Sequence, residues 1–263
     1  MKVQSFRHIY GPVPSRRLGR SLGIDLVPFK TCTYDCIYCQ LGRTTNKTLQ
    51  RKEYVPVTDI LDELERKLSL AYDVDYITLA GSGEPTLNSR IGDLILKIKS
   101  MTDVPVAVLT NGSLLWNKDV QDVLMMADLV MPSLDAGHPR LYRYVNRPHP
   151  KISFQQMTDG LTGFADRYRG KIWLEIFLLS GVTDTMEEID KIISIVRRIR
   201  LTRIQLNTVT RPPAESYARP LSKSQLQTLK QRYSTEIEVD IVGGGTNIES
   251  ARRKGLKTCS LHD

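Results

Sequence analysis

The sequence predicts an α/β fold: a partial (β/α)6 TIM-like barrel, with a further C-terminal run that would add a seventh strand. Short runs rich in β-branched residues alternate with segments of helical period, which is typical of parallel strands joined by crossover helices. The glycine-rich and polar turns follow the strands, on the face where barrel enzymes place their chemistry. The length of 263 residues suits one such barrel.

The elements follow an opening to about residue 20 that we expect to be irregular. The candidate strands are 23–27, 76–80, 104–109, 127–134, 172–179 and 203–207, with a seventh at 236–242. Three intervening helices begin with a capping box, a residue pair that satisfies the free N–H groups of the first turn. These pairs are Ser153 with Gln156, Thr185 with Glu188, and Ser222 with Gln225.

We expect one domain over residues 1–263, with a core at about 20–210 and a C-terminal extension, 211–263, that packs on the barrel. No internal repeat, low-complexity linker or change of composition divides the chain. No run approaches the roughly 20 apolar residues that span a bilayer, and the first residues lack the apolar region of a secretion signal. These features predict a cytoplasmic protein without a membrane segment.

The chain is basic, with a formal net charge of +8 and a pI of about 9.3. Such a charge favours a polyanionic partner such as RNA, because binding releases the counterions of the phosphates. An ordinary solvated surface explains the charge equally well.

Three of the four cysteines lie within eight residues, in the run Cys32-Thr-Tyr-Asp-Cys36-Ile-Tyr-Cys39. This crowding favours a metal site over disulfides. Three thiolates can hold three irons of a 4Fe-4S cluster and leave the fourth iron open, whereas a structural zinc site needs four ligands. Cys259 or a histidine could supply a fourth ligand, so the spacing leaves both metals possible.

The Cys-x-x-x-Cys-x-x-Cys spacing with Tyr38 before its third cysteine resembles the signature of the radical S-adenosylmethionine (SAM) superfamily. The run from Gly81 to Pro85 resembles its Gly-Gly-Glu-Pro motif, with Ser82 at the second position. The turns 110–112 and 133–135 look like its further SAM contacts. The opening 10–24 resembles a subgroup of small Fe-S oxidoreductases that is loosely related to the wyosine tRNA-synthesis enzymes.

The resemblance implies a 4Fe-4S cluster on Cys32, Cys36 and Cys39, with SAM at its open iron. The expected SAM contacts are Tyr38, Gly81, Ser82, Gly83, Glu84, Pro85, Thr110, Asn111, Ser133, Asp135, Glu175 and Asn207. Glu175 also has a physical argument, because a carboxylate in an apolar strand needs a polar partner inside the barrel. Weaker substrate candidates are Arg16, Arg17, Arg140 and Arg143, whose guanidinium groups suit a phosphate or carboxylate.

The resemblance implies a radical SAM enzyme with no catalytic residue beyond the cluster ligands. A low-potential donor, flavodoxin or ferredoxin, would reduce the cluster, and SAM would break into methionine and a 5'-deoxyadenosyl radical that abstracts hydrogen from a substrate. The basic charge and the wyosine resemblance favour tRNA, but the two-cluster chemistry of the wyosine enzymes needs more cysteines than this chain has. A peptide, a protein or a small metabolite therefore stays equally open as the substrate. The alternative function is a non-catalytic zinc or iron-sulfur protein that binds RNA.

Overall fold

The structure, a computed structural model, describes residues 6–70, 72–233 and 237–243. Ten strands occur in this part of the chain: β1 (Ile9–Ser15), β2 (Gly19–Asp25), β3 (Thr31–Cys32), β4 (Asn46–Lys47), β5 (Tyr76–Ala80), β6 (Val106–Leu109), β7 (Leu129–Met131), β8 (Lys171–Leu178), β9 (Arg203–Thr208) and β10 (Glu238–Ile241). Eight of them form one sheet in the order β1-β2-β5-β6-β7-β8-β9-β10, while β3 and β4 pair separately.

All neighbouring strands from β2 to β10 of the large sheet are parallel. Helices follow most of these strands, so the α/β fold with a partial barrel is confirmed. The strands β2 and β5 to β9 correspond to the six predicted runs, and β10 is the predicted seventh strand. The carboxyl ends of the parallel strands therefore meet on one face, where the polar turns lie.

The opening is not irregular: β1 and β2 form an antiparallel hairpin. Its strand signal is hidden by Pro12 and Pro14, which an edge strand tolerates because its N–H groups need no ladder partner. The hairpin also needs glycine, since a Cβ at Gly23 would overlap the ring of Tyr10. Gly19 ends the turn with a φ of 65°, in the left-handed region.

Seven α-helices are described: α1 (Val57–Leu68), α2 (Ile91–Met101), α3 (Lys118–Leu124), α4 (Pro139–Val145), α5 (Phe154–Arg167), α6 (Met186–Val196) and α7 (Lys223–Tyr233). Ser222 and Gln225 make the full predicted capping box, with bonds of 3.2 and 2.9 Å in the two directions. Ser153 caps α5 through the N–H of Gln156.

The capping box predicted at Thr185 is only half formed. The Thr185 hydroxyl accepts from the backbone N–H of Glu188. The Glu188 carboxylate does not reach back, because it accepts from Gly137 N–H and contacts His138 Nδ1 at 2.7 Å. Glu188, which the capping-box pattern assigns to the start of α6, thus links α6 to the turn after β7.

The main hydrophobic core lies between the outer face of the sheet and the helices, and it extends from Ile9 to Val239. A smaller cluster fills the barrel interior near the N-terminal ends of its strands, where Leu18 packs with Leu129 and Trp173. A third apolar cluster, which includes Ile37 and Phe177, packs near the carboxyl ends of the strands. No helix in the described ranges is long and apolar enough to cross a membrane.

Candidate SAM and iron-sulfur site

The three cysteines of the motif face one cleft at the carboxyl ends of the strands, with a volume of about 650 Å³ including its open mouth. Strand β3 contains Cys32, and the loop that follows it contains Cys36 and Cys39. The cleft is lined by Arg17, Cys32, Cys36, Tyr38, Cys39, Gly83, Glu84, Leu109, Thr110, Asn111, Met131, Ser133 and Glu175. Thus most of the expected site residues converge, although they are spread over more than 150 positions of sequence.

Each cysteine sulfur accepts a hydrogen bond from a side chain that the motif does not contain. Asn111 Nδ2 lies 3.5 Å from the sulfur of Cys32, and Asn146 Nδ2 lies 3.6 Å from that of Cys36. Lys30 Nζ lies 3.1 Å from the sulfur of Cys39. Such donors stabilise thiolates and set the reduction potential of clusters that thiolates hold.

Burial disfavours the charged form of the thiols in the metal-free chain. It raises the pKa of Cys32 to about 11, with the carboxylate of Glu84 adding to the effect. Burial, followed by the charge of Asp135, raises the pKa of Cys36 well above its usual value. Both thiols therefore hold their protons near neutral pH, and binding a metal must release them.

The cysteine loop is anchored from inside the motif by Asp35, which is 6% exposed. Its carboxylate accepts from Arg43 Nε at 2.9 Å and from Thr44 N–H at 2.7 Å. Arg43 also pairs with Glu215, in the segment after β9, at 2.7 Å, and Arg147 contacts the same Glu215 oxygen. Three loops far apart in sequence thereby fix the position of the cysteines.

Tyr38 is held in place from behind by two contacts. Its ring stacks on Phe177 with centroids 3.9 Å apart, and its hydroxyl donates to Asp135. The Asp135 carboxylate also accepts from Asn146 Nδ2 and from the backbone N–H of Phe177. Asp135 is 3% exposed and lies behind Tyr38 without lining the cleft, so its observed role is to position Tyr38.

The turn after β5 lies against the cysteine loop. A Cβ at Gly83 would overlap the carbonyl oxygen of Thr31, so only glycine allows this approach. Ser82, the departure from the motif, has its own partner, since its hydroxyl donates to Asp25 at 2.9 Å. Gly81, with a φ of 105°, lies so near Asp25 that a side chain there would collide with it.

Glu84 is the acid of this turn and is 2% exposed. One carboxylate oxygen accepts from Thr86 N–H at 3.1 Å and from Thr110 Oγ1 at 2.6 Å. The other accepts from Asn111 N–H at 2.8 Å. Burial raises the pKa of Glu84, whereas these bonds lower it. Pro85 begins the short 3-10 turn that Glu84 caps.

The turn after β7 brings Ser133 into the cleft, and strand β8 itself brings Glu175 into it. Glu175 meets the polar partner that its position in an apolar strand requires, because Arg17 donates to its carboxylate. Asn207 lies on the same face of the sheet but not on the cleft wall, and its side chain accepts from the N–H of Thr208. Arg16 contacts Thr210 Oγ1 at 3.4 Å, beside the cleft.

The other two substrate candidates do not reach the cleft. Arg140 and Arg143 are exposed on α4 and do not line it, whereas their neighbour Arg147 turns toward the cysteine loop. Three residues that support the site were not predicted from the sequence: Lys30, Asn146 and Phe177. Lys30 stands two residues before the motif, which was the available signal. Cys259 lies outside the described residues.

The donor set fits a cluster better than a single metal ion. In the described ranges, no group of three or more His, Cys, Asp or Glu side chains surrounds a point where one ion could bind. A mononuclear zinc needs its ligand atoms about 2.0–2.3 Å from the metal, whereas thiolates that each bind a different iron stand farther apart. Three half-buried cysteines that line one open cleft are compatible with the second arrangement.

Comparison with known proteins places the chain among related sequences. Residues 26–222 match the model of the Radical SAM superfamily. The chain is 37% identical to a UPF0026 protein of Synechocystis over 79% of its length and 77% of that protein. It is 38% identical to a UPF0026 protein of Methanocaldococcus jannaschii, with 80% and 66% covered. A protein of Brachyspira hyodysenteriae named GTPase Obg is 43% identical, with 89% and 35% covered.

The chain thus spans about a third of the Brachyspira protein and just under two thirds of the Methanocaldococcus protein. Two solved structures share its fold at low identity. A radical SAM methyltransferase from Sphaerobacter thermophilus has a TM-score of 0.64 at 16% identity, with 87% of this chain and 67% of that chain covered. TYW1 with a lysine-pyruvate adduct bound has a TM-score of 0.60 at 19% identity, with 83% and 74% covered.

Proposed function

This chain belongs to the radical SAM superfamily, and we propose that Cys32, Cys36 and Cys39 are the three protein ligands of its 4Fe-4S cluster. The family implies the cluster and SAM as cofactors, so the chain is a radical SAM enzyme. The observation that carries the ligand assignment is the arrangement of the sulfurs. All three face one cleft, each accepts one side-chain N–H, and no fourth ligand completes a metal site among the described residues.

When bound, the cluster supplies the electron that cleaves SAM into methionine and a 5'-deoxyadenosyl radical, which takes a hydrogen atom from the substrate. The residues of the chain have to bind SAM and orient it beside the cysteines. Gly83 lets its turn pack directly against the backbone of Thr31, next to Cys32, because it has no side chain. Glu84 offers one oxygen with a single bond, to Asn111 N–H, and this oxygen suits an ammonium group such as that of SAM.

The opposite wall of the cleft suits the hydroxyl groups of a ribose. Ser133 and Glu175 both line it and stand side by side on neighbouring strands. A hydroxyl and a carboxylate can together accept from and donate to a diol. Tyr38 also lines the cleft, and its Phe177 stack and its bond to Asp135 hold it next to the cysteines.

The enzyme needs a reductant, and we propose a low-potential acidic donor such as flavodoxin or ferredoxin. The surface beside the cysteine loop supports this, because Lys47, which stands opposite Cys32 in the β3–β4 register, is exposed there. Opposite charges on two proteins speed their encounter and orient it. For the substrate, the formal charge of +8 favours an anionic molecule such as tRNA over a neutral peptide.

The test is anaerobic reconstitution with iron and sulfide, followed by reduction with dithionite in the presence of SAM. The wild-type protein should contain about four irons per chain and release 5'-deoxyadenosine and methionine. Cys36→Ala should lose the cluster absorption and both products. Cys259→Ala is the matched control, and it should keep both. Zinc in place of iron, with loss of the metal in both variants, would instead support a four-ligand zinc site.

A further inference from the structure

Three consecutive residues in the turn between β1 and β2 have their side chains in three different parts of the barrel. Leu18 packs in the interior near the N-terminal ends of the strands. Arg17 reaches the cleft and pairs with Glu175 on β8. Arg16 reaches Thr210, just beyond the carboxyl end of β9. The turn therefore lies across the barrel interior and puts two guanidinium groups next to the proposed SAM site.

Most N–H donors of these two arginines have no protein partner among the described residues, and Arg16 is exposed. A guanidinium group has five N–H donors. Among the described residues, Arg17 makes one side-chain bond, to Glu175, and Arg16 makes one, to Thr210 at 3.4 Å. By contrast, Arg43 and Arg147, which flank the cysteine loop, are both paired with Asp35 and Glu215. Free donors thus concentrate at one side of the cleft.

The same place carries an excess of positive charge. Arg211 follows Thr210 directly, so it adds a third guanidinium beside Arg16. Glu175 is the one acid that forms an ion pair with any of these three arginines in the described part of the chain. Partial burial, followed by the charges of Arg17 and Arg211, lowers the pKa of Arg16. The three guanidinium groups thus exceed the single carboxylate by two positive charges, and an anion bound there would reduce the repulsion between them.

A buried acceptor next to this group also lacks a partner. Gln205 on β9 is 1% exposed, and its Oε1 has no hydrogen bond among the described residues. Gln205 stands directly beside Glu175 in the β8–β9 register, so the two side chains are on the same face of the sheet. An unpaired buried acceptor is costly. It is therefore a second sign that a ligand with a donor group binds here.

We propose that Arg16, Arg17 and Arg211 bind a phosphate group of the substrate, while Gln205 accepts from an N–H or O–H of the same molecule. This inference rests on the proposed function, because it places the substrate beside the cleft that would hold SAM. A phosphate fits better than a carboxylate, since the excess of two positive charges equals the charge of a phosphate monoester. Two neighbouring phosphodiesters of an RNA strand would match it as well.

The test measures the binding of small anions to the reconstituted protein in the presence of SAM, by calorimetry at constant ionic strength. The probes are inorganic phosphate, dimethyl phosphate and acetate. The double variant Arg16→Gln with Arg211→Gln removes the exposed pair and leaves Arg17 to neutralise Glu175. The matched control is Arg20→Gln, on the same hairpin, whose guanidinium pairs with Asp73 at 2.7 Å.

The wild-type protein and the Arg20 variant should bind inorganic phosphate alike, and the double variant should bind it about tenfold or more weakly, since two charge-assisted contacts are lost. Tighter binding of inorganic phosphate than of dimethyl phosphate supports a terminal phosphate, and the reverse order supports an RNA backbone. The proposal is overturned if acetate binds as tightly as both phosphates, if the wild type binds no phosphate, or if the double variant binds it like the wild type.

Formation of 5'-deoxyadenosine is measured in the same preparation without any probe. Absence of this product would count against the proposed function alone, because the calorimetry measures phosphate binding to the arginines independently of SAM cleavage. If the product forms normally while the double variant retains wild-type phosphate affinity, the phosphate site alone is wrong.

Discussion

Lys30→Met should lower the reduction potential of the cluster. The Lys30 ammonium is 3% exposed and lies 3.1 Å from the sulfur of Cys39. A positive charge so close to a thiolate ligand stabilises the reduced cluster, which has one more negative charge than the oxidised one. Methionine keeps an unbranched, apolar side chain that is one atom shorter, and it removes the charge.

The size of the effect follows from the contact. Two unit charges about 4 Å apart interact by about 4 kcal/mol at an effective dielectric constant of about 20. The added electron is shared over the whole cluster, so we take about half of this energy, about 2 kcal/mol. For a one-electron couple, a tenfold change in the equilibrium constant is about 59 mV, and the expected decrease is therefore about 90 mV. Because Lys30 is buried, added salt should change this value little.

The assay is a redox titration followed by the electron paramagnetic resonance signal of the reduced cluster, without SAM. Lys67→Met is the matched control, because Lys67 is also mostly buried, at 9% exposure, but lies on α1 over the ring of Phe6. It should leave the potential unchanged. A potential of the Lys30 variant within about 20 mV of wild type, a third of the tenfold step, would refute the reasoning, as would an increase.

Two further predictions concern the protein around the cluster. Gly83→Ala should destabilise the chain by several kcal/mol and prevent cluster assembly, because its Cβ would overlap backbone atoms. The control Gly163→Ala, with open space around its Cβ, should be neutral or stabilising by up to about 1 kcal/mol. Equal urea midpoints for the two variants would contradict this prediction. Burial raises the pKa of Asp135 from 3.8 to about 6, so in the metal-free protein its stabilising contribution is greatest below pH 3.8 and is lost as the pH rises through 6. The unfolding free energy of wild type minus that of Asp135→Asn should therefore fall by about 2 kcal/mol between pH 4 and pH 7, and a flat or rising difference would show that the carboxyl is not disfavoured by burial.

The sequence predicted the fold and the cleft where the signal was local. Strand period, the spacing of Cys32, Cys36 and Cys39, and the turn at Gly83 can each be recognised within a few residues. Strand β1 was not predicted, because its prolines and glycine are typical of loops and its strand character depends on pairing with β2.

Contacts between distant residues could not be predicted in the same way. Asn146 is 110 positions from Cys36, and Arg17 is 158 positions from Glu175. A buried carboxylate in β8 indicated that a partner exists but not which residue it is. Asp135 was expected to meet the cofactor because it is polar and stands at a strand end; its bond to Tyr38 depends on a contact 97 positions away that the sequence does not show.

The central claim is that the three cysteines leave one iron open for SAM. Electron paramagnetic resonance of the reduced protein, recorded with SAM that carries ¹⁵N in its amino group, tests it directly. We expect SAM to change the spectrum of the cluster and to add a hyperfine coupling to ¹⁵N in the wild-type protein. An unchanged spectrum without ¹⁵N coupling, in protein that holds a complete cluster, would contradict the claim.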